Sequence, residues 1–300
     1  MARYGLYTFS WLLKWLPYWA INVLTKIFVP IAFIFTVRQK RIARESLEIA
    51  FSHQKSPEEI EGIIKKCFYS FGRGMIEMFY YTSHLQEVSR KVSIEGEHYL
   101  KEAQQEGKGV IAVTAHFGNF PLMMLYFVSQ GYKANAIIRP ARDKHLEEYL
   151  LRKRTESGLN TVYALPRNKC VEESLKVLRD NELLFIPLDQ NFGSAGGVFV
   201  DFFGQKAATA TGPVVFARRT KAPIIPMFIV RDGVDRHKII IEPPIKLEEK
   251  ETDQETLQVN TTKITNLIEQ YIRRYPHEWG WMHRRWKSRP DEILNRTAKA

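Results

Sequence analysis

His116 closes a short apolar run, Gly109-Val110-Ile111-Ala112-Val113-Thr114-Ala115, and is followed at once by Phe117-Gly118-Asn119-Phe120. The run has the length and β-branched content of a buried strand, and the Gly-Asn after it signals a tight turn. Open α/β sheets gather their chemistry at the carboxyl ends of their strands, where this histidine would lie. Its side chain is the one whose unperturbed pKa suits proton transfer near neutral pH. A second run, Leu183-Leu184-Phe185-Ile186-Pro187-Leu188, breaks into Asp189-Gln190-Asn191-Phe192-Gly193. In a parallel sheet, Asp189 would reach the same edge as His116.

Arg139 and Arg142 follow a third run, Ala134–Ile138, and are expected on that edge as clamps for an anionic group. Thr211-Gly212-Pro213 reads as a helix start with Thr211 as its cap, which would offer free N–H groups to a phosphate or carboxylate. The chain contains no GxSxG elbow, P-loop, HExxH or GxGxxG motif. Gly193-Ser194-Ala195-Gly196-Gly197 reads as a flexible loop. No metal set is expected.

Further apolar runs at Ile224–Val230 and Ile239–Ile241 complete five strands. Between the strands, helical patterns occupy about 122–129, 144–157, 170–180 and 212–221. This alternation predicts an α/β fold with a mostly parallel central sheet flanked by helices. Upstream, residues 42–51 read as a short helix. Ser56-Pro57-Glu58-Glu59 then forms a capping box opening a second helix to about Tyr81. A helix from about Thr256 to Tyr275 precedes a tail rich in tryptophan and arginine.

From Tyr4 to Val37 the chain is almost wholly apolar and aromatic, then stops at Arg38-Gln39-Lys40-Arg41. The tryptophans and the basic stop fit a helical membrane anchor lying in, or dipping through, the cytoplasmic interface. The expected division is an anchor over 1–40 and a catalytic domain over 41–300. Lys and Arg outnumber Asp and Glu by 44 to 33, which favours an anionic partner such as phospholipid headgroups, nucleic acid or an acidic carrier protein. Of these the hydrophobic N-terminus favours a membrane surface over nucleic acid. The two cysteines, Cys67 and Cys170, form no disulfide framework.

Four segments occur in order: His116–Phe120, Asp189–Gly193, Val198-Phe199-Val200-Asp201-Phe202-Phe203-Gly204, and Trp279-Gly280-Trp281-Met282-His283-Arg284-Arg285-Trp286-Lys287-Ser288-Arg289-Pro290. Together they resemble the bacterial lipid A biosynthesis acyltransferases of the lysophospholipid acyltransferase superfamily. The resemblance implies a membrane-bound enzyme at the cytoplasmic face of the inner membrane. Such an enzyme moves an acyl chain from acyl carrier protein or coenzyme A to a hydroxyl of an anionic lipid acceptor. The thioester is a co-substrate, and no cofactor is implied. Gly118, Asn119, Phe203 and Gly204 are expected to line the substrate alongside the arginines.

The family's HxxxxD/E motif pairs the histidine with an acid that would fall at position 121, which is Pro121 here. Three readings follow. A carboxylate from elsewhere, with Asp189 best placed, replaces the acid. A backbone carbonyl orients His116. Or the chain is a catalytically impaired lipid-binding homologue.

Overall fold

The computed structural model describes residues 2–51, 54–193 and 197–290. Helices α1 (Ala2–Leu13), α2 (Tyr18–Phe35), α3 (Val37–Phe51), α4 (Pro57–Tyr81) and α5 (Leu85–Lys91) precede the first strand. Then follow β1 (Val92–Glu95), α6 (Glu97–Gln105), β2 (Val110–Thr114), α7 (Phe120–Ser129), β3 (Ala134–Ile138), α8 (Lys144–Glu156), β4 (Asn160–Tyr163), α9 (Arg167–Arg179) and β5 (Leu183–Pro187). After them come β6 (Gly197–Phe202), β7 (Gln205–Ala210), α10 (Gly212–Thr220), β8 (Ile224–Asp232), β9 (Arg236–Ile241) and α11 (Asp253–Arg274).

Seven strands form the main sheet in the order β1-β9-β8-β2-β5-β3-β4, and β6 and β7 form a separate hairpin. All neighbours in the main sheet are parallel except β8 and β9. The expected mostly parallel α/β sheet is therefore present. Period-two alternation divides the strand side chains between its two faces. Ile111, Val113, Leu184 and Ile186 pack with α9, α10, α11 and the C-terminal tryptophans, whereas Val110, Ala112, Leu183 and Phe185 pack with α6, α7 and α8.

The α4 capping box is realised: Ser56 Oγ accepts from the Glu59 N–H, and Glu59 Oε2 accepts from the Ser56 N–H. The helix runs the expected distance because its apolar stripe is buried on both sides of Gly72. Helix α2 lies along it, with Tyr18 against Tyr80 and Phe33 against Phe68 at ring separations of 5.7 and 5.3 Å. The expected 40/41 boundary falls inside α3, and Leu13, Ile21 and Val29 of the hydrophobic segment pack into the core. The other face of α1, the turn after it and α2 exposes Trp11, Trp15, Trp19, Ile27, Ile31, Ile34 and Phe35. Helix α2 is 18 residues of apolar sequence, long enough by length and composition to cross a membrane. Ser194, Ala195 and Gly196 of the expected flexible loop lie outside the described residues.

Candidate active site

Strand β2 is buried along its whole length and delivers the chain to His116 just beyond its carboxyl end. Three contacts fix the turn that follows. Phe117 forms an isolated antiparallel bridge to Trp279, the Gly118 N–H donates to the Glu278 carbonyl at 2.7 Å, and the Gly280 N–H donates to the His116 carbonyl at 3.0 Å. Gly118 has φ +55°, and a Cβ there would meet the Ile229 carbonyl oxygen at 2.0 Å. Only glycine can turn the chain this close to β8. His116 is thus held between its own strand and the C-terminal segment, with its side chain 29% exposed.

The register of β2 and β5 aligns Thr114 with Pro187, so His116 and Asp189 occupy equivalent positions beyond two adjacent strand ends. Neighbouring strands stand about 4.8 Å apart, which a histidine and an aspartate side chain can span. The His116 Nδ1–H donates to Asp189 Oδ1 at 2.8 Å. The other oxygen, Oδ2, accepts the indole N–H of Trp279 at 2.8 Å. Burial works against a charge on Asp189, but the His116 and His283 imidazoles and the Trp279 donor outweigh it and hold the carboxyl well below the usual carboxylate range. For His116, burial opposes protonation, yet the charge and hydrogen bond of Asp189 prevail and raise its pKa. His283, 6.4 Å away ring to ring, is pushed down mainly by burial.

With its proton on Nδ1, the His116 ring carries a lone pair on Nε2, the atom of a general base. The amide nitrogen of the exposed Gln190 stands 3.2 Å from that atom. Where Pro121 leaves no motif acid, the carboxylate that meets the His116 ring is that of Asp189, two residues beyond β5. Pro121 itself sits in the first turn of α7, where a missing N–H costs no helical hydrogen bond.

The other expected site residues fall into different places. Arg139 and Arg142 are exposed after the carboxyl end of β3, on the edge that carries His116. Strand β5 separates β3 from β2, so the arginines stand roughly two strand spacings, about 10 Å, along that edge. Asn119 is buried and internally engaged: its Oδ1 accepts from Leu122 N–H to cap α7 and its Nδ2 donates to Glu77. Phe203 and Gly204, at φ +53° and +73°, form the two-residue β6–β7 turn. Left-handed conformations at both positions match the hairpin's twist, and Phe203 packs on Phe51 and Trp281. Thr211 is the residue before α10, but its side chain makes no capping hydrogen bond, and Gly212 follows it half-buried.

The tail rich in tryptophan and arginine is largely internal. Trp279, Trp281 and Arg285 are fully buried. Arg285 donates to the Ala208 and Gln190 carbonyls and to Thr209 Oγ1, tying the hairpin to the loop after β5. A second buried cluster was not foreseen. Glu77, fully buried on α4, accepts from Arg73 Nε at 2.7 Å, Arg231 Nη2 at 2.9 Å and Asn119 Nδ2 at 2.9 Å. A glutamate four residues after an arginine inside an apolar helical stripe was the available signal. Trp279, His283 and Gln190 lie inside conspicuous motifs, but nothing in spacing alone aims them at the pair.

The model of the bacterial lipid A biosynthesis acyltransferases matches residues 2–288. The lipid A biosynthesis lauroyltransferase of Escherichia coli K12 is 28% identical over 95% of this chain and 91% of its own. The palmitoleoyltransferase of the same organism is 28% identical over 93% and 89%, and its myristoyltransferase is 23% identical over 85% and 77%. A solved 1-acyl-sn-glycerophosphate acyltransferase from Thermotoga maritima aligns over 81% of this chain and 96% of its own at a TM-score of 0.38 and 11% identity, a loose likeness. With the histidine–carboxylate pair at the centre of the matched region, the chain belongs to the bacterial lipid A biosynthesis acyltransferases and is an O-acyltransferase.

Proposed function

We propose that the protein transfers a fatty acyl group from an acyl thioester, carried on acyl carrier protein or coenzyme A, to a hydroxyl of a lipid A precursor. The observation that carries this reading is the 2.8 Å contact between His116 Nδ1 and the buried Asp189 carboxylate, which leaves Nε2 as the base. In the step, Nε2 accepts the acceptor's hydroxyl proton as that oxygen bonds to the thioester carbonyl carbon. Collapse of the tetrahedral intermediate then breaks the carbon–sulfur bond, and the imidazolium returns the proton to the leaving thiolate. The products are an ester and a free thiol, and no cofactor or metal enters the balance. Asp189 holds the tautomer and stabilises the imidazolium throughout. Gln190 gives way to the incoming hydroxyl.

Both substrates carry phosphate, and the exposed Arg139 and Arg142 supply charge along the edge where they would meet. Gly118 shapes the catalytic turn and Asn119 caps the helix that follows it. The outward tryptophans of α1 and α2 suit attachment at a bilayer interface, and the reading places the enzyme at the cytoplasmic face of the inner membrane. With Asp189 in the role of the motif acid, Pro121 no longer argues for a lipid-binding homologue without activity.

Purified protein supplied separately with acyl carrier protein and coenzyme A thioesters and a lipid A precursor tests the reading. Acylated precursor should form with at least one donor, and the His116→Ala variant should lose at least about a thousandfold in turnover while retaining its fold. No product from either donor, or near-normal turnover in that variant, would overturn it.

A further inference from the structure

A cavity of about 510 Å³ opens between α4, the β8–β9 turn and the 3₁₀ turn at Pro276–Glu278. Its volume lies within the range of small-molecule sites, roughly 300–1,000 Å³. Lys65, Lys66, Tyr69, Arg231, His277 and Glu278 wall it. Three of these are already engaged in the fold, with His277 Nε2 lying 3.8 Å from Glu278 Oε1. The Arg231 guanidinium binds Glu77, while the Glu278 carboxylate accepts from Ser70 Oγ at 2.8 Å and from the Arg231 N–H at 3.3 Å. Lys65 and Lys66 are exposed and have no anionic partner among the described residues. The cavity therefore offers two free ammonium groups beside an imidazole and a phenol, with its one carboxylate bound from within. That is a site for an anion with several acceptor oxygens.

Its setting points to where the anion comes from. The β8–β9 turn that walls the cavity exposes Val234 at 71% and reaches α2 through Asp235, whose Oδ1 accepts from Asn22 Nδ2 at 3.2 Å. Helix α2 exposes Trp19 three residues before that contact. The turn follows the carboxyl end of β8, the edge on which His116 lies. Charged groups that would bind a phosphate and apolar groups that would enter the acyl layer thus share one side of the molecule. Glu278 also links the cavity to the catalytic turn, because its carbonyl holds the Gly118 N–H.

We propose that this cavity binds the phosphate of an anionic membrane phospholipid and thereby sets how the enzyme sits on the bilayer. The proposal rests on the membrane association proposed above. The test measures binding of the full chain to phosphatidylcholine vesicles with and without phosphatidylglycerol, and competition by sn-glycerol 3-phosphate. The wild type should prefer the anionic vesicles, and the soluble phosphate should weaken that preference. Lys65→Gln/Lys66→Gln should lose roughly tenfold or more in affinity for anionic vesicles, lose the competition and keep its binding to neutral ones. Arg38→Gln/Lys40→Gln, which removes the same charge just past α2, should lose less and keep the competition. The proposal is overturned if the Lys65/Lys66 variant binds anionic vesicles like the wild type, or loses no more than the Arg38/Lys40 variant. If the wild type ignores every vesicle, membrane association itself fails. Binding of glycerol phosphate by wild type alone would then reassign the cavity to a soluble phosphate and overturn its lipid source.

Discussion

Asp189, the carboxylate expected to serve His116, reaches it, and Asp201 provides a contrast. Asp189 is buried with both oxygens occupied by His116 and Trp279, whereas Asp201 is exposed on the hairpin and pairs across it with Lys206 at 3.0 Å. Asp189→Asn should therefore lower acyl transfer by roughly a hundredfold to ten-thousandfold, the range set by comparable tautomer-fixing acids. Asp201→Asn should stay within about twofold, as surface changes do. Parallel rate measurements on the two variants check this, and comparable losses would disconnect Asp189 from the base. Trp279→Phe would keep the ring packing and delete one donor to a buried carboxylate, a loss of about 1–3 kcal/mol. Its unfolding transition should fall accordingly, and an unchanged transition would show that Oδ2 finds another donor. His116 and Asp189 were legible in the sequence because each directly follows a buried apolar strand. Trp279 and His283 were not, since about a hundred positions separate them from the groups they touch and no local pattern encodes such a contact.

At the scale of elements, the legible strands were those with continuous β-branched or apolar runs: β2, β3, β5, β8 and the end of β9. Strands β1 and β4 went unread because they are four residues long, lie at the sheet edges and are half-exposed, so no run marks them. The β6–β7 hairpin was hidden by its turn. Phe203 adopts the left-handed conformation in place of the usual Asn or Gly, which its packing on Trp281 and its N–H bond to Glu269 compensate. Nothing in the tail's composition marks Trp279, Trp281 and Arg285 as core, yet they fill the space behind Asp189. Helices α4 and α7 meet the β8–β9 region through Glu77, so Glu77→Gln should leave Arg231 without its counter-charge and the buried Arg73 with only the partly exposed Asp235. A cost on the order of 3–5 kcal/mol is expected, read as a lower midpoint in denaturant. An unchanged midpoint would mean that the cluster contributes little to stability.

For the whole molecule, the apolar outward face of α1 and α2 and the His116 edge of the sheet meet at the β8–β9 turn. Under the proposed function, that arrangement would let the enzyme take its acyl acceptor from a bilayer while a water-soluble donor approaches the same edge. Replacing Trp11, Trp15 and Trp19 together by serine should abolish sedimentation with neutral vesicles while leaving the sheet folded, because these side chains are 61–69% exposed and support no core. Undiminished sedimentation would move the attachment elsewhere on the chain.

The central claim is that Asp189 makes His116 the base, and the pH dependence of kcat/KM tests it most directly. The base must be neutral, so activity is lost as pH falls through the imidazole's pKa, which the Asp189 charge raises above its ordinary value. Removing that charge with Asp189→Asn lowers the pKa. The account therefore predicts an acid limb displaced to lower pH, together with a lower plateau. An acid limb that stays in place or moves to higher pH would contradict it.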